Sequence, residues 1–255
     1  MKIRGAWGRL RGEIAYMRAR TWRYAEVGRF WDSVHDYDEI DHETYSYARR
    51  FTDSYALSPL AVEGTVLDIC GRTGNGTLYF HERGRIGKGV CADVSEGFLR
   101  IAGNKFREKG VAAMRVLLGE LPLPFKDSSF DSVLCFETVE HLPDPSGFIR
   151  ELARVCRKGG GVIITTPNLL WEPVHWLAAV LDLHHSEGPH RFLGRAALRR
   201  AIEAAGLGVE IERTTVLIPG GPALLIKAGE ALERLCGERV RRILALRRIF
   251  ICRKE

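Results

Sequence analysis

Two acidic residues and a glycine-rich turn follow predicted strands, and their types and spacing suit the binding of a nucleoside. Asp68 lies near the end of an apolar strand, which runs into the turn through VLDICGRTGNGT. Asp93 ends the next apolar strand, in CADV, where its carboxylate could accept hydrogen bonds from two ribose hydroxyls. Because glycine tolerates unusual backbone angles, such a turn brings main-chain groups close to a ligand. The pattern therefore predicts a ligand that contains a ribose.

The spacing of the glycines argues against two common nucleotide sites. A phosphate-binding P-loop needs GxxxxGK followed by serine or threonine, and no such string occurs. A dinucleotide fold prefers GxGxxG, whereas Gly71, Gly74 and Gly76 form GxxGxG. An NAD or nucleotide-sugar enzyme stays open as an alternative, but a ligand with a ribose and no pyrophosphate suits the chain better.

Histidines beyond the predicted strands are candidates for a general base. His141 follows Glu140 after the fourth strand, and His185 and His190 lie in a later insertion. We predict no metal site, because the histidines near position 190 are irregularly spaced and no second cluster of ligands accompanies them. Structural or polar contacts are the alternative role for all of these histidines.

The elements that must position these residues alternate between strand and helix from residue 66 onward. In SEGFLRIAGNKFREKG, for example, Ser95 is placed as a helix N-cap and Gly110 as the stop. Repeated strand–helix–strand units predict an α/β fold with a mostly parallel sheet covered on both faces. The predicted strands are VLDIC, GKGVCADV, MRVLLGE, FDSVLCF, GGVIITT, VEIERTTVLI and RRIFICRK.

Three segments outside this alternation define the predicted domain organisation. Residues 1–60 form an N-terminal helical cap, and residues 61–255 form the main domain. Within that domain, residues 167–193 are a lid-like insertion, and residues 222–245 are a basic amphipathic helix before the last strand. Ligands of an open parallel sheet lie beyond the carboxyl ends of its strands, so we expect the insertion to border the site.

Four segments resemble the class I S-adenosylmethionine (SAM) dependent methyltransferases, especially the small-molecule branch related to the quinone-biosynthesis enzymes. They are VLDICGRTGNGT, GVCADVSEGFLRIA, LLGELPLPFKDSSFDSVLCFETVEHLPDP and RELARVCRKGGGVIITTPN. The resemblance implies a Rossmann-like seven-stranded sheet in the order 3-2-1-4-5-7-6, with the last strand antiparallel. It also implies SAM as the cofactor and a small molecule as the methyl acceptor. A catalytically inactive SAM-binding regulatory protein is the alternative within the same fold.

The same resemblance assigns the contacts to the cofactor. Asp68 would orient the turn near the amino group of SAM, and Asp93 would accept hydrogen bonds from the ribose. Glu120 would lie near the adenine amino group, and Glu137 would face the methionine end. The complete set implied to bind SAM is Asp68, Cys70, Gly71, Arg72, Thr73, Gly74, Asp93, Val94, Glu120, Leu121, Phe136 and Glu137.

The turn departs from the family pattern at two positions. Where the family has D-x-G-x-G-x-G, Cys70 and Arg72 replace glycines. Arg72 is the harder replacement, because its Cβ disfavours the positive φ that glycine permits. Two interpretations are open: Arg72 reaches the SAM carboxylate or an anionic acceptor, or it turns outward while Gly71 supplies the flexibility. We favour the outward orientation.

Further motifs bear on catalysis and on the acceptor. Tyr37, in HDYDEI, resembles a family tyrosine that closes over the site, and it joins His141 and His190 as a catalytic candidate; simple packing is its alternative role. The chain has FETVEHL after the fourth strand, where enzymes that methylate amino groups of bases have [ND]PP[YFW]. The cysteines required for methylation of cytosine C5 in RNA are also missing there. A specific nucleic-acid substrate is therefore not predicted.

Charge and composition place limits on the setting of the protein. The net charge is +6, concentrated at the two ends, and the six cysteines stand singly, which favours a reduced cytoplasmic setting. We recognise no signal peptide and no membrane span. Residues 1–30 have the pattern of a basic amphipathic helix, which lies either on an anionic membrane surface or against the protein itself or a second subunit. Membrane contact would suit a lipid-like or quinone-like acceptor.

Overall fold

Seven strands form one sheet in the order β3-β2-β1-β4-β5-β7-β6 in a computed structural model of the chain. The structure describes residues 3–18, 22–34, 38, 45–181, 186 and 188–255. Neighbouring strands are parallel except for β7, which runs antiparallel to both β5 and β6. The predicted fold class and strand order are confirmed. The strands are β1 (Thr65–Ile69), β2 (Lys88–Asp93), β3 (Ala113–Leu117), β4 (Phe130–Phe136), β5 (Cys156–Pro167), β6 (Leu207–Thr215) and β7 (Arg247–Lys254).

Helices cover both faces of the sheet, so the central strands are buried along most of their length. In β4, Val133, Leu134 and Cys135 have no solvent exposure. Such continuous apolar runs are typical of strands covered on both sides. The helices are α1 (Ile3–Arg18), α2 (Tyr24–Asp32), α3 (Tyr45–Leu57), α4 (Asn75–His81), α5 (Glu96–Glu108), α6 (Pro145–Val155), α7 (Glu172–Val180), α8 (Arg195–Ala204), α9 (Ala223–Leu235) and α10 (Glu238–Leu244).

The helix that follows β2 begins and ends as its sequence predicts. The Ser95 hydroxyl caps α5 by accepting a hydrogen bond from the Phe98 amide at 3.0 Å. Gly110, just beyond the helix, adopts a left-handed φ of 65°, which glycine tolerates without a steric penalty. This well-defined helix start holds Ser95, and therefore the end of β2, in a definite place.

The carboxyl ends of β1, β2 and β4 meet at one edge of the sheet, which we call the carboxyl edge. Asp68 and Asp93 lie at this edge, and Glu137 directly follows β4. The connection between β6 and β7, formed by α9 and α10, lies at the same edge because those strands are antiparallel. Arg247, the first residue of β7, contacts Glu137 there.

The N-terminal helices pack on the domain in different places. Helix α1 packs against α7, with the Arg9 Nε donating to the Val180 carbonyl at 3.2 Å. Leu10 and Ile14 are half-buried, whereas Trp7 is 61% exposed. Helix α2 packs against α5 beside the carboxyl edge. Among the residues that the structure describes, no helix has the length and apolar character needed to cross a membrane.

Candidate active site

The glycine-rich turn after β1 keeps the backbone that glycine would allow, although two of its residues carry side chains. Cys70 and Arg72 both have a φ of 50°, and Gly74 has a φ of 80°. Left-handed backbone costs a residue with a side chain roughly 1–3 kcal/mol, so the surrounding contacts must hold this turn in place. The Gly71 amide donates to the Ala92 carbonyl at 3.1 Å, which ties the turn to β2.

Asp68 organises the turn from beneath. Its carboxylate accepts hydrogen bonds from the Thr77 amide and the Thr77 hydroxyl, both at 2.8 Å. Burial raises the pKa of Asp68 to about 6, and the bonds from Thr77 lower it in part. A Cβ on Gly71 or Gly76 would lie only 2.9 Å from this carboxyl group, so glycine is required at both positions. Asp68 therefore shapes the turn through α4.

Asp93 is placed between the turn and the following helix. One carboxylate oxygen accepts from the Arg72 amide at 2.8 Å, and the other accepts from the Ser95 amide at 2.9 Å. Burial raises the pKa of Asp93 to about 6, against the lowering effect of these backbone bonds. Each oxygen keeps acceptor capacity, so the chemistry of Asp93 suits ribose hydroxyls.

Arg72 turns inward and crosses the end of β4. Its guanidinium donates to the Phe136 carbonyl at 3.0 Å and to the Glu137 carbonyl at 2.6 Å. The outward orientation that we favoured from the sequence is therefore wrong. The charge-assisted hydrogen bonds to these two carbonyls stabilise the guanidinium more than its hydration at the surface would. The side chain occupies the space in which the resemblance places the methionine end of SAM.

Glu137 is the centre of a buried cluster of charges beyond β4. Its carboxylate pairs with Arg247, and with Arg50 at 3.3 Å. Burial alone would raise the pKa of Glu137, but the two guanidiniums outweigh it and hold the pKa at about 2. This carboxylate is therefore ionised and occupied by protein partners, and it holds β7 and α3 against the end of β4.

Helix α2 covers the ledge between Asp93 and the end of β4. The Trp31 ring lies 5.5 Å from the His141 ring and 5.9 Å from the Phe98 ring. Val27 lines the same space, and a Cβ on Gly28 would lie 2.5 Å from the Val94 carbonyl oxygen, so the helix backbone rests directly on the residue that follows β2. The sequence alone did not indicate that α2 belongs to the site, although Tyr24, Val27 and Trp31 have the i, i+3, i+7 spacing of a buried helix face.

The remaining cavity on the ledge is too small for a nucleoside. The cavity has a volume of about 20 Å³ and is lined by Val27, Trp31, Arg72 and Asp93 among others. That volume is enough for about one water, whereas pockets for small ligands measure roughly 300–1,000 Å³. The polar groups around the turn suit SAM, but in this conformation the space does not.

Two further contacts hold α2 and the segment before it in place. The Asp32 carboxylate accepts from the Ser95 hydroxyl at 2.6 Å and from the Gly97 amide at 3.0 Å. The Trp22 indole donates to the His141 carbonyl at 2.6 Å. Tyr24 fits less well: its hydroxyl is buried and has no hydrogen-bond partner among the residues that the structure describes. A buried hydroxyl without a hydrogen bond costs about 1–3 kcal/mol, so this position of α2 is destabilised by about that free energy.

The other residues implied to bind the cofactor are distributed around this ledge. Thr73 is buried and donates to Asp38 at 2.6 Å, whereas Phe136 points its ring into the aromatic core beside Phe51. Val94 lies under α2, and Leu121 packs against the core below. Glu120 is exposed, three residues beyond the end of β3. The structure thus brings Cys70, Arg72, Asp93, Val94 and Glu137 together at one cavity.

The catalytic candidates lie at different distances from the ledge. His141 is buried and lines the cavity, and its ring nitrogen is 3.3 Å from the Pro189 carbonyl. His190 lies behind it, with the ring centres 6.2 Å apart. Tyr37 and His185 lie outside the described residues, although Asp38 contacts the turn through Thr73.

Comparison with known proteins finds similarity over the central part of the chain. A family model described as a methyltransferase domain matches residues 67–164. The ubiquinone/menaquinone biosynthesis C-methyltransferase UbiE of Burkholderia mallei (strain SAVP1) is 27% identical over 151 residues, which are 58% of this chain and 62% of that protein. The match thus spans less than two thirds of that relative's length.

Solved structures with the same fold extend over more of the chain. The [4+2]-cyclase SpnF is 18% identical with a TM-score of 0.66, over 92% of this chain and 97% of that one. The geranyl diphosphate C-methyltransferase from Streptomyces coelicolor A3(2), in complex with Mg2+, geranyl diphosphate and S-adenosyl-L-homocysteine, is 14% identical with a TM-score of 0.64. Its structure covers 93% of this chain and 100% of its own. At these identities the likeness concerns the fold.

Proposed function

We propose that the chain is a class I SAM-dependent methyltransferase, which its matched domain and its strand order support, and that it transfers a methyl group to a small, apolar or lipid-like acceptor. The observation that carries the proposal is the pair Asp68 and Asp93, which lie near the carboxyl ends of neighbouring parallel strands, beside a turn with left-handed backbone at three positions. SAM would supply an already activated methyl group, so the protein has mainly to bind, orient and exclude water.

Binding of SAM requires a rearrangement of the ledge. In our proposal, α2 moves away, Arg72 releases the two carbonyls at the end of β4, and Asp93 becomes accessible to the ribose. The Tyr24 hydroxyl supports this, because it is buried with no hydrogen-bond partner among the described residues, which makes this position of α2 less stable. Once released, the Arg72 guanidinium could pair with the SAM carboxylate or with an anionic acceptor.

The resemblance to quinone-biosynthesis enzymes and the fold shared with a geranyl diphosphate methyltransferase both favour an apolar or lipid-like molecule. Contact of residues 1–30 with a membrane is part of the same proposal. It is supported by the exposed Trp7, whereas the packing of α1 on α7, with the bond from Arg9 to Val180, limits how much of that helix is free.

Calorimetric titration with SAM tests the proposed cofactor. The wild-type protein should bind SAM, and Asp93→Ala should weaken binding at least about tenfold, because a hydrogen bond from a ligand to a charged group contributes about 1.5–3 kcal/mol. Glu96→Ala is a matched control, since Glu96 is an exposed acid three residues further on. Transfer of a labelled methyl group to lipid extracts then tests the acceptor class.

A protein that has lost SAM is the second candidate, and the inward Arg72 and the indole of Trp31 favour it. Such a protein would keep the fold while its own side chains permanently replace the ligand. The two candidates differ in one result. Absence of heat and of thermal stabilisation at millimolar SAM, in both the wild type and Trp31→Ala, would favour the protein without a cofactor.

A further inference from the structure

Helix α9 presents its leucines to solvent and its acidic residues to the protein. Leu224 and Leu235 are 82% and 83% exposed, and Leu225 and Leu232 are also exposed. Positions 224, 228, 231, 232 and 235 follow the i, i+4, i+7, i+8, i+11 spacing of one helix face. An ordinary surface helix has the opposite arrangement, with its leucines against the core.

The inner face of α9 explains why the helix is seated this way. The Glu233 carboxylate accepts from Arg49 at 2.9 Å and from the Leu217 amide at 3.0 Å. Glu230 accepts from the Tyr45 hydroxyl at 2.8 Å. A Cβ on Gly229 would lie 2.8 Å from the Cβ of Ile218, so the helix sits close to the chain beneath it. These contacts hold α9 with its leucines outward.

Helix α10 continues the apolar surface. Val240, Ile243 and Leu244 are exposed at i, i+3 and i+4. The Trp171 indole donates to the Leu244 carbonyl at 2.8 Å, which joins α10 to the start of the 167–193 insertion. Leu170 in that insertion is exposed as well. We call the exposed leucines, isoleucine and valine of α9 and α10 the outer face: Leu224, Leu225, Leu232, Leu235, Val240, Ile243 and Leu244.

The charges beside the outer face are positive. Lys227 and Arg234 are exposed two turns apart on one flank of the leucine stripe on α9, and Arg239 is exposed at the start of α10. The acids of both helices have protein partners, because Glu238 pairs with Arg241 at 2.9 Å while Glu230 and Glu233 bind Tyr45 and Arg49. An apolar stripe flanked by lysine and arginine is the pattern of a helix that lies at the surface of an anionic bilayer.

From this arrangement we propose that the outer face docks on an anionic lipid bilayer. The leucines would enter the boundary between head groups and acyl chains, and Lys227, Arg234 and Arg239 would meet the lipid phosphates. A second copy of the chain fits less well, since a two-fold contact would bring the same basic flanks together. Because α9 and α10 lie at the carboxyl edge, docking would turn the site toward the membrane. The proposal concerns binding to lipid and does not depend on methyl transfer.

Sedimentation of the full-length protein with vesicles tests this docking. The wild type should pellet with vesicles of phosphatidylglycerol and phosphatidylcholine, and much less with phosphatidylcholine alone. Leu224→Ser combined with Leu235→Ser should lower the partition coefficient at least about tenfold, because both side chains would enter the bilayer. Lys227→Gln combined with Arg234→Gln should remove most of the preference for the anionic vesicles.

Two controls separate this surface from others. Leu60→Ser changes a leucine that is 71% exposed near the amino end of β1, away from the outer face, and should leave vesicle binding unchanged. Trp7→Ser tests α1. Loss of binding with Trp7→Ser but not with the double leucine variant would overturn the proposal and assign the contact to the N-terminus.

Two other results would also overturn the proposal. One is wild-type protein that stays in the supernatant with anionic vesicles. The other is a wild-type dimer in solution that becomes monomeric in the double leucine variant, together with unchanged vesicle binding; a second copy would then be the occupant of the outer face. Circular dichroism of the leucine variant should match that of the wild type, because neither side chain is buried.

Discussion

The guanidinium carbon of Arg72 lies 5.8 Å from the centre of the Trp31 ring. A residue of the glycine-rich turn and a residue of α2 thus meet over the ledge, at a distance typical of a cation–π contact. Both side chains occupy space that SAM would need, and each helps to hold the other in position. The ledge therefore opens only if α2 and the turn change together.

Trp31→Ala should improve the binding of SAM. Removing the indole enlarges the cavity beside Asp93 and takes away the contact with Arg72, so we expect the Kd from calorimetry to fall at least about tenfold. The same change should lower the free energy of unfolding by about 3–5 kcal/mol, because a large buried side chain is lost. Trp7→Ala, which alters an exposed tryptophan, should change neither quantity appreciably. An unchanged Kd in Trp31→Ala would show that α2 does not limit binding.

Asp32→Ala should loosen α2 without making a cavity. The variant loses the bonds from the Ser95 hydroxyl and the Gly97 amide, so we expect faster hydrogen exchange over residues 24–32 and a stability loss of about 1–2 kcal/mol. SAM should again bind more tightly, by a smaller factor than in Trp31→Ala. Asp127→Ala removes an exposed acid elsewhere and is the control. Equal exchange rates in α2 for Asp32→Ala and wild type would contradict this role of Asp32.

The stability of the protein should depend on pH through Asp68 and Asp93. Burial raises the pKa of each to about 6, above the value near 4 of the unfolded chain. The stability that these groups contribute is complete below pH ~4 and is lost as the pH rises through about 6. Urea unfolding at pH intervals between about 4 and 6 measures how the free energy of unfolding changes with pH. For Asp93→Asn this slope should be smaller than for the wild type by about 1 kcal/mol per pH unit. A slope equal to that of the wild type would mean that the pKa of Asp93 is the same in the folded and unfolded protein.

Glu137→Gln should be strongly destabilising. The substitution leaves the buried guanidiniums of Arg247 and Arg50 without a carboxylate, which typically costs about 3–5 kcal/mol. Glu210→Gln breaks an ion pair with Arg253 that is exposed on both sides, and should cost at most about 1 kcal/mol. Thermal and urea unfolding of the two variants measure the difference. Similar losses in both would show that the buried cluster contributes no more than a surface pair.

The sequence by itself predicted the strands of the sheet and the N-cap of the helix that follows β2. The strands β4 and β7 match the predicted segments FDSVLCF and RRIFICRK residue for residue, and Ser95 caps α5 as predicted. These features depend on residues close together in the chain: alternating runs of apolar residues, a cap three positions from its partner, a glycine at a helix end. Resemblance to a family then supplied the strand order, which local pattern does not determine.

Tertiary structure alone decided what fills the site and what faces outward. Arg72 turns inward because the carbonyls that accept its hydrogen bonds belong to the last residue of β4 and the residue after it, 64 and 65 residues away. The leucines of α9 point to solvent because Glu230 and Glu233 find Tyr45 and Arg49, about 185 residues earlier. Helical spacing shows that a helix has two unlike faces, but which face is buried depends on the free energy of contacts between distant segments. Contacts between distant segments therefore close the ledge over Asp93 and leave the outer face exposed.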